Sequence, residues 1–448
     1  MSRRRRASEP EAVTARPLVP RLAGPRQAAA ILAATILLSS VAVDLRAESS
    51  FDSPKRLVSA IGTLLAAGLL FGRASWSGTA PIGAHVSRIR PLERLLLAAS
   101  VLGCIASALV SPRPALAIDG LRGLALGALL LALGASSALD DGRARPLAIA
   151  FVVGCTLNAV ASLLQLAGLR LFPIERMLGR ANTGAFLGND GYVGLLLAFG
   201  SVIALAAALA KTASVRTRTA AASFAVLFFS GIAANRSVTA FIAFGAGAGA
   251  LFLGRFRRRA VAPLLGLLLV ASGLVAAWPP LRHRMREVAN DALAGNWEPV
   301  LSYRFGPWSA AGSMMRERPL LGMGPATFAA EYVPHRLSAE LRKKARYVNP
   351  FLPGDAYAEA HSDILQSFAE VGIPVALASL LLFGLVVVRL VLRVRRAPAV
   401  ADEALALLAL LIAGAAAAST WFPFHREFSS VPLLLAIGRA WRVSRSEA

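Results

Sequence analysis

Apolar runs of about 20 residues recur along this chain, and that is the length a helix needs to cross a hydrocarbon core about 30 Å thick. Twelve such runs can be marked, at residues 28–45, 55–72, 92–110, 115–138, 147–168, 190–210, 219–235, 237–254, 261–279, 364–388, 401–420 and 428–443. They are continuous and rich in Leu and Ala, without the alternation of a barrel strand, so helices are expected. Only 16% of the 448 residues are charged, against about 25% in a soluble protein. The expected fold class is therefore all-α: a polytopic integral membrane protein of about 12 transmembrane helices. Disorder is excluded by a hydrophobic content of 56%. The two cysteines, Cys104 and Cys155, lie inside apolar runs and read as small buried residues.

A net charge of +23 would suit a nucleic-acid binder, but nucleic-acid binders do not carry repeated membrane-length runs. The excess reads instead as a topology signal. With the N-terminus inside, the inner segments and adjoining span ends collect 27 of the 48 Lys and Arg. The expected organisation is a basic tail over 1–27, helices one to nine over 28–279, and a long outer loop over 280–362. Helices ten to twelve follow over 363–443, and then a short tail over 444–448. Both termini are expected inside. The first run resembles a signal peptide, but Asp44 and Arg46 crowd the one cleavage position, after Ala47, so it is expected to be retained.

The long outer loop is where chemistry has room, because loops of this length are commonly functional or disordered. RFGPWSAAGSMMRERP reads as a helix ending at Pro319, and Ala339 to Arg346 as another, so an ordered helical cap is expected. The loop ends at His361, with Ser362 placed to cap the following helix. The helix dipole there favours a neutral imidazole, while Glu359 and Asp363 act in the opposite sense. A neutral His361 suits a general base toward a hydroxyl, and it also reads as an ordinary interfacial histidine.

Three further segments bring polar groups outward. The turn Asn235-Arg236-Ser237 sets Arg236 between two apolar helices, where a charge marks either a functional site or a headgroup contact. LFPIERMLGRANTGAFLGNDG carries Arg176, Arg180, Asn182 and Asn189. Asp119 and Arg122 lie one helical turn apart in the fourth run, where they can simply pair with each other. Guanidinium forks suit phosphate oxygens, so a lipid-linked phosphate or diphosphate is a reasonable ligand. The five histidines are scattered and no HExxH motif is present, so no metal site and no cofactor is expected. GMGPATF lacks the phosphate-loop lysine and reads as a turn.

Four segments together resemble the bacterial O-antigen ligase/O-antigen polymerase family. RFGPWSAAGSMMRERPLLGMGPATFAAEY is similar to the family's Arg–Trp–Pro-Leu-x-Gly-x-Gly–Phe stretch at Arg304, Trp308, Pro319, Gly322, Gly324 and Phe328. HSDILQSFAEVGIP matches at His361, Leu365, Gln366, Glu370 and Gly372, with Ser362 where Asn is usual. NRSVTAF matches at Arg236, with Asn235 and Ser237 in place of Ser and Gly. RANTGAFLGNDGYVG matches at Gly184, Phe186 and Asn189, with Asp190-Gly191 where Pro-Asn is usual.

The resemblance implies a metal-independent membrane glycosyltransferase in the bacterial inner membrane, acting on its periplasmic face. An undecaprenyl-diphosphate-linked glycan is the implied donor, and a lipid or glycan hydroxyl the acceptor. His361 would act as base and Arg236 would hold the diphosphate, with Arg180, Arg304, Asn189 and Arg122 as candidate substrate contacts. Membrane lipids are the expected surroundings, and no nucleic-acid partner is expected. The competing expectation is a twelve-span transporter or flippase of a lipid-linked or anionic substrate. The outer, off-centre position of the long loop counts against that expectation.

Overall fold

The structure, a computed structural model, describes residues 24–72, 89–140, 142–172, 182–262, 265–266, 269, 273, 276–347, 349, 357–396 and 401–445. It is all-α. The first part of the chain forms α1 (Gly24–Val41), α2 (Ser53–Ala67), α3 (Pro91–Leu109), α4 (Pro114–Ala135), α5 (Arg145–Leu166), α6 (Asp190–Leu209), α7 (Val215–Asn235) and α8 (Val238–Phe256). A proline stands in the first turn of α2, α3, α4 and α5, where its missing N–H costs nothing. The cap consists of α9 (Pro279–Leu293), a single turn at Trp297–Val300, α10 (Phe305–Glu317) and α11 (Phe328–Lys343). The chain then forms α12 (Asp363–Val371), α13 (Ile373–Arg396), α14 (Ala401–Thr420) and α15 (Glu427–Arg445).

Among the described residues nine helices are long and apolar enough to cross a membrane. They coincide with nine of the twelve expected runs. α1 and α15 stand at the first and twelfth runs, with polar ends at Arg26 and Gln27 and at Arg439, Arg442 and Arg445. The ninth run, 261–279, lies partly outside the described residues.

α6 is the axis of the bundle. Leu195, Leu196, Leu197 and Phe199 on it are buried, with α5, α7, α8 and α14 packed around it. Outward, Leu57, Leu95, Leu102, Leu109 and Leu381 are each more than half exposed; such a belt suits lipid and not water. Small residues let helices approach closely. A Cβ on Gly134 of α4 would run into the Leu435 carbonyl of α15, and one on Gly438 into the Leu131 carbonyl.

The charges collect at the two ends of the bundle. At one end Glu93 meets Arg389 and Arg445, Asp140 meets Arg439 and Arg442, and Asp402 meets Arg255. All of these come from segments that the charge pattern assigns to the same side. At the other end the buried ammonium of Lys55 donates to the carbonyls of Ala42 (2.6 Å), Phe51 (2.6 Å) and Phe186 (2.9 Å). It thereby ties the α1–α2 connection to the segment ahead of α6.

The cap is also seated at this second end, and here the structure corrects two expectations. The tenth run is split: α12 stops at Val371, Gly372 takes φ +86°, and α13 begins at Ile373. The cap segment crosses at that break. Met323 N–H donates to Ala369 O (3.0 Å), Gly324 N–H to Glu370 O (2.7 Å) and Ile373 N–H to Pro319 O (2.8 Å). A Cβ on Gly372 would collide with the Leu320 carbonyl. The Glu370 carboxylate accepts the N–H groups of Ala326 (2.9 Å) and Phe328 (3.1 Å). The second cap helix starts at Phe328, eleven residues earlier than expected, with Pro334 inside it. Its buried stripe Phe328, Tyr332, His335 and Ala339 has helical spacing, and that packing outweighs one missing N–H.

Candidate active site at the junction of cap and bundle

The turn between α7 and α8 puts Arg236 in a left-handed conformation, φ +54°. Such a residue is held there by its neighbours. The buried Asn235 side chain donates to Ser162 Oγ (3.0 Å) and Gly231 O (2.6 Å) and accepts from Thr183 Oγ1 (2.9 Å). Ser237 caps α8 through Ala240 N–H. The two residues that depart from the family pattern thus fix the turn and leave the arginine side chain to project. Its guanidinium lies over the Trp278 ring at 5.5 Å. Its Nε is buried without a hydrogen-bond partner.

Arg304, at the start of α10, reaches the beginning of α8 from the cap. Its Nη2 is 3.4 Å from Thr239 Oγ1 on α8, and its guanidinium lies 5.3 Å from the Trp421 ring. Trp421 and Phe422 are stacked at 5.0 Å and form one wall for His361, whose ring is 5.3 Å and 5.0 Å from theirs. Tyr357 closes the opposite side edge-on at 5.1 Å and donates its hydroxyl to Tyr303 O (2.9 Å), the residue before Arg304. His361 itself has φ +52°, and its Nδ1 is buried without a hydrogen-bond partner.

Burial pushes the His361 pKa down, and the positive charges of Arg304 and Arg426 push it further, to about 3. The imidazole is therefore neutral at physiological pH. Glu359 and Asp363, which were expected to oppose this, are engaged elsewhere. Glu359 accepts from Arg426 (2.6 Å) and Asp363 faces His425 Nδ1 (2.6 Å). Burial also works against a charge on His425, but Asp363, Glu370 and Glu359 outweigh it and hold that pKa up at about 9.

Two of the expected residues, Arg304 and His361, are joined by this chain of contacts, which ends on α8 at Thr239, three residues after Arg236. Asn189 is half-buried and caps α6, accepting the Gly191 N–H at 2.8 Å. Arg122 pairs with Asp119 at 2.9 Å, both strongly exposed. Arg176 and Arg180 lie outside the described residues. Among the described residues no group of three or more His, Cys, Asp or Glu could hold a metal ion.

Sequence reasoning missed the segment between α14 and α15. Trp421-Phe422-Pro423-Phe424-His425-Arg426 lines the site, and its density of aromatic and basic residues in so short a turn was the available signal. Arg426 is held by Asp52 (2.9 Å) and Glu359 (2.6 Å), with its guanidinium over the Tyr192 and Phe422 rings at 5.1 and 5.3 Å.

Residues 223–380 match the family model described as O-antigen ligase. The matched stretch runs from α7 through the cap to α13 and includes Arg236, Arg304 and His361. Comparison with curated proteins gives no match.

Proposed function

We propose that the chain, whose residues 223–380 match the family model described as O-antigen ligase, is a member of the O-antigen ligase/O-antigen polymerase family and transfers a glycan from an undecaprenyl-diphosphate carrier to an acceptor hydroxyl. The acceptor would be a lipid or another glycan, and the reaction would occur on the periplasmic face of the bacterial inner membrane, with both termini cytoplasmic. The observation that carries this reading is a buried, neutral His361 with an unpartnered Nδ1, in contact continuity with Arg304 and with the α8 start beside Arg236.

The chemistry follows from those groups. The acceptor oxygen bonds to the anomeric carbon as the bond from that carbon to the diphosphate oxygen breaks. The acceptor proton passes to His361 Nδ1, and the electron pair stays on the lipid diphosphate. Charge building on the leaving group needs fixed cations, which Arg236 and Arg304 supply without a metal. A base is most effective with a pKa near the working pH. A bound diphosphate would offset the arginine charges that depress His361 and so raise its basicity when donor is present. Asn189, Arg122 and Arg180 are further candidate contacts to the donor or acceptor.

Reconstitution in vesicles with a diphosphate-linked glycan and a hydroxyl acceptor tests the proposal. Glycan joined to acceptor with release of free lipid diphosphate, in the presence of a chelator, is the expected result. Intact donor appearing on the opposite leaflet without transfer would mean a transporter. A product of one length or a ladder of lengths would separate ligase from polymerase.

A further inference from the structure

His361 lacks the usual means of orientation. A catalytic imidazole is commonly oriented by a hydrogen bond between its ring and a carboxylate or carbonyl, yet here Nδ1 has no partner and the ring's contacts among the described residues are with aromatic rings. Its direction must then come from the backbone beneath it and the rings around it.

Both are fixed by one network. Before His361, Ala360 N–H donates to Gln366 Oε1 (3.0 Å). After it, Ser362 Oγ donates to Ala418 O (3.3 Å) and Asp363 N–H to Trp421 O (3.0 Å). The Asp363 carboxylate accepts Phe424 N–H on one oxygen (3.0 Å) and faces His425 Nδ1 with the other (2.6 Å). The second ring nitrogen of His425, Nε2, is 3.1 Å from Gln366 Nε2, and that amide donates to Glu370 Oε1 (3.0 Å). The two ties that flank the His361 backbone, through Gln366 and through Asp363, therefore meet at a single ring. That ring also ends the segment bearing Trp421 and Phe422. Nδ1–H donates to Asp363 in either protonation state of His425, so that tie does not depend on its charge, whereas the contact of Nε2 with the Gln366 amide is a hydrogen bond, donated by Gln366, only when the ring is neutral.

We propose that His425 is a positioning residue. By donating to Asp363 and packing against the Gln366 amide it holds the left-handed backbone at His361 and presses the Trp421–Phe422 wall against the imidazole, and so sets where His361 points. This rests on His361 being the base of the proposed transfer. A base that turns by about 1 Å costs turnover and not donor affinity, because the arginines that bind diphosphate stand on α8 and α10.

The test uses the full-length protein in detergent or vesicles and measures kcat and the donor KM for His425→Ala and His425→Asn, with His361→Ala as reference. The expected result is a fall in kcat on the order of 10- to 100-fold for His425→Ala at a KM within about twofold. Partial recovery is expected in His425→Asn, which keeps a donor toward Asp363. Wild-type kcat in folded His425→Ala would overturn the proposal, as would a change confined to KM. If His425→Ala is not recovered folded, His425→Phe fills the ring's volume without its nitrogens and is judged by the same two readings. An active His361→Ala would instead defeat the underlying assignment of the base, so the two failures are distinguishable.

Discussion

Arg236 and His361 hold the same left-handed backbone conformation, φ +54° and +52°, although neither is glycine. The conformation costs a non-glycine residue roughly 1–2 kcal/mol. It persists because each is clamped by its neighbours, Arg236 by Asn235 and Ser237, His361 by Ser362 and Asp363. Both side chains also keep a buried nitrogen without a partner. Strain and unmet hydrogen bonding at the same two residues are what a site prepared for a ligand looks like.

Replacing either residue by glycine separates the two roles. Glycine relieves the backbone strain but gains freedom in the unfolded chain, and these effects nearly cancel. Arg236→Gly and His361→Gly should keep folding stability within about 1 kcal/mol of wild type while losing transfer by at least about 100-fold. Thermal unfolding in detergent beside a transfer assay checks both halves. A glycine variant that unfolds several degrees lower would show the side chain to be structural.

The two histidines of the site should answer pH with opposite signs. His361 is held neutral, with its pKa near 3. The unfolded imidazole gains a proton below its ordinary value of about 6.5, so the folded state loses stability as pH falls from there toward 3. His425 is held near 9; its contribution is complete below about 6.5 and is lost as pH rises through 9. His361→Phe should therefore gain on wild type at pH 5, and the deficit of His425→Phe should shrink between pH 7 and pH 9. Unfolding curves at those pH values are the check, and curves that stay parallel would contradict both assignments.

Gly372 is the third test. The break between α12 and α13 seats the cap, with Ile373 N–H on Pro319 O, and leaves no room for a Cβ beside Leu320 O. Gly372→Ala combines a backbone collision with φ +86°, and should cost about 2–4 kcal/mol. Lowered unfolding temperature with faster proteolysis of the cap is expected.

Much of this was legible in the amino-acid order. Apolar length located the helices, because each crossing must be apolar over its whole span. His361 stood out through its position before the Ser362 cap, and Arg236 through a charge in a two-helix turn. What was not legible depended on contacts distant in sequence. The split at Gly372 arises because the cap crosses α12, and an apolar run carries no mark of a crossing. Arg426 drew no reading at all, and His425 counted only as one of five scattered histidines. Their importance comes from Asp52, Glu359 and Asp363, which are between 62 and 374 residues away. Conversely, Asn189 matched a family position, yet here its side chain is used to cap α6.

The central claim is that His361 takes the acceptor proton while Arg236 and Arg304 hold the diphosphate. The most direct measurement is donor binding and single-turnover transfer on the purified protein for His361→Ala, Arg236→Ala and Arg304→Ala. His361→Ala is predicted to bind the lipid-diphosphate glycan with wild-type affinity and transfer nothing. Each arginine variant should bind it about tenfold or more weakly. Transfer at the wild-type rate by His361→Ala, or undiminished donor binding in both arginine variants, would contradict the account.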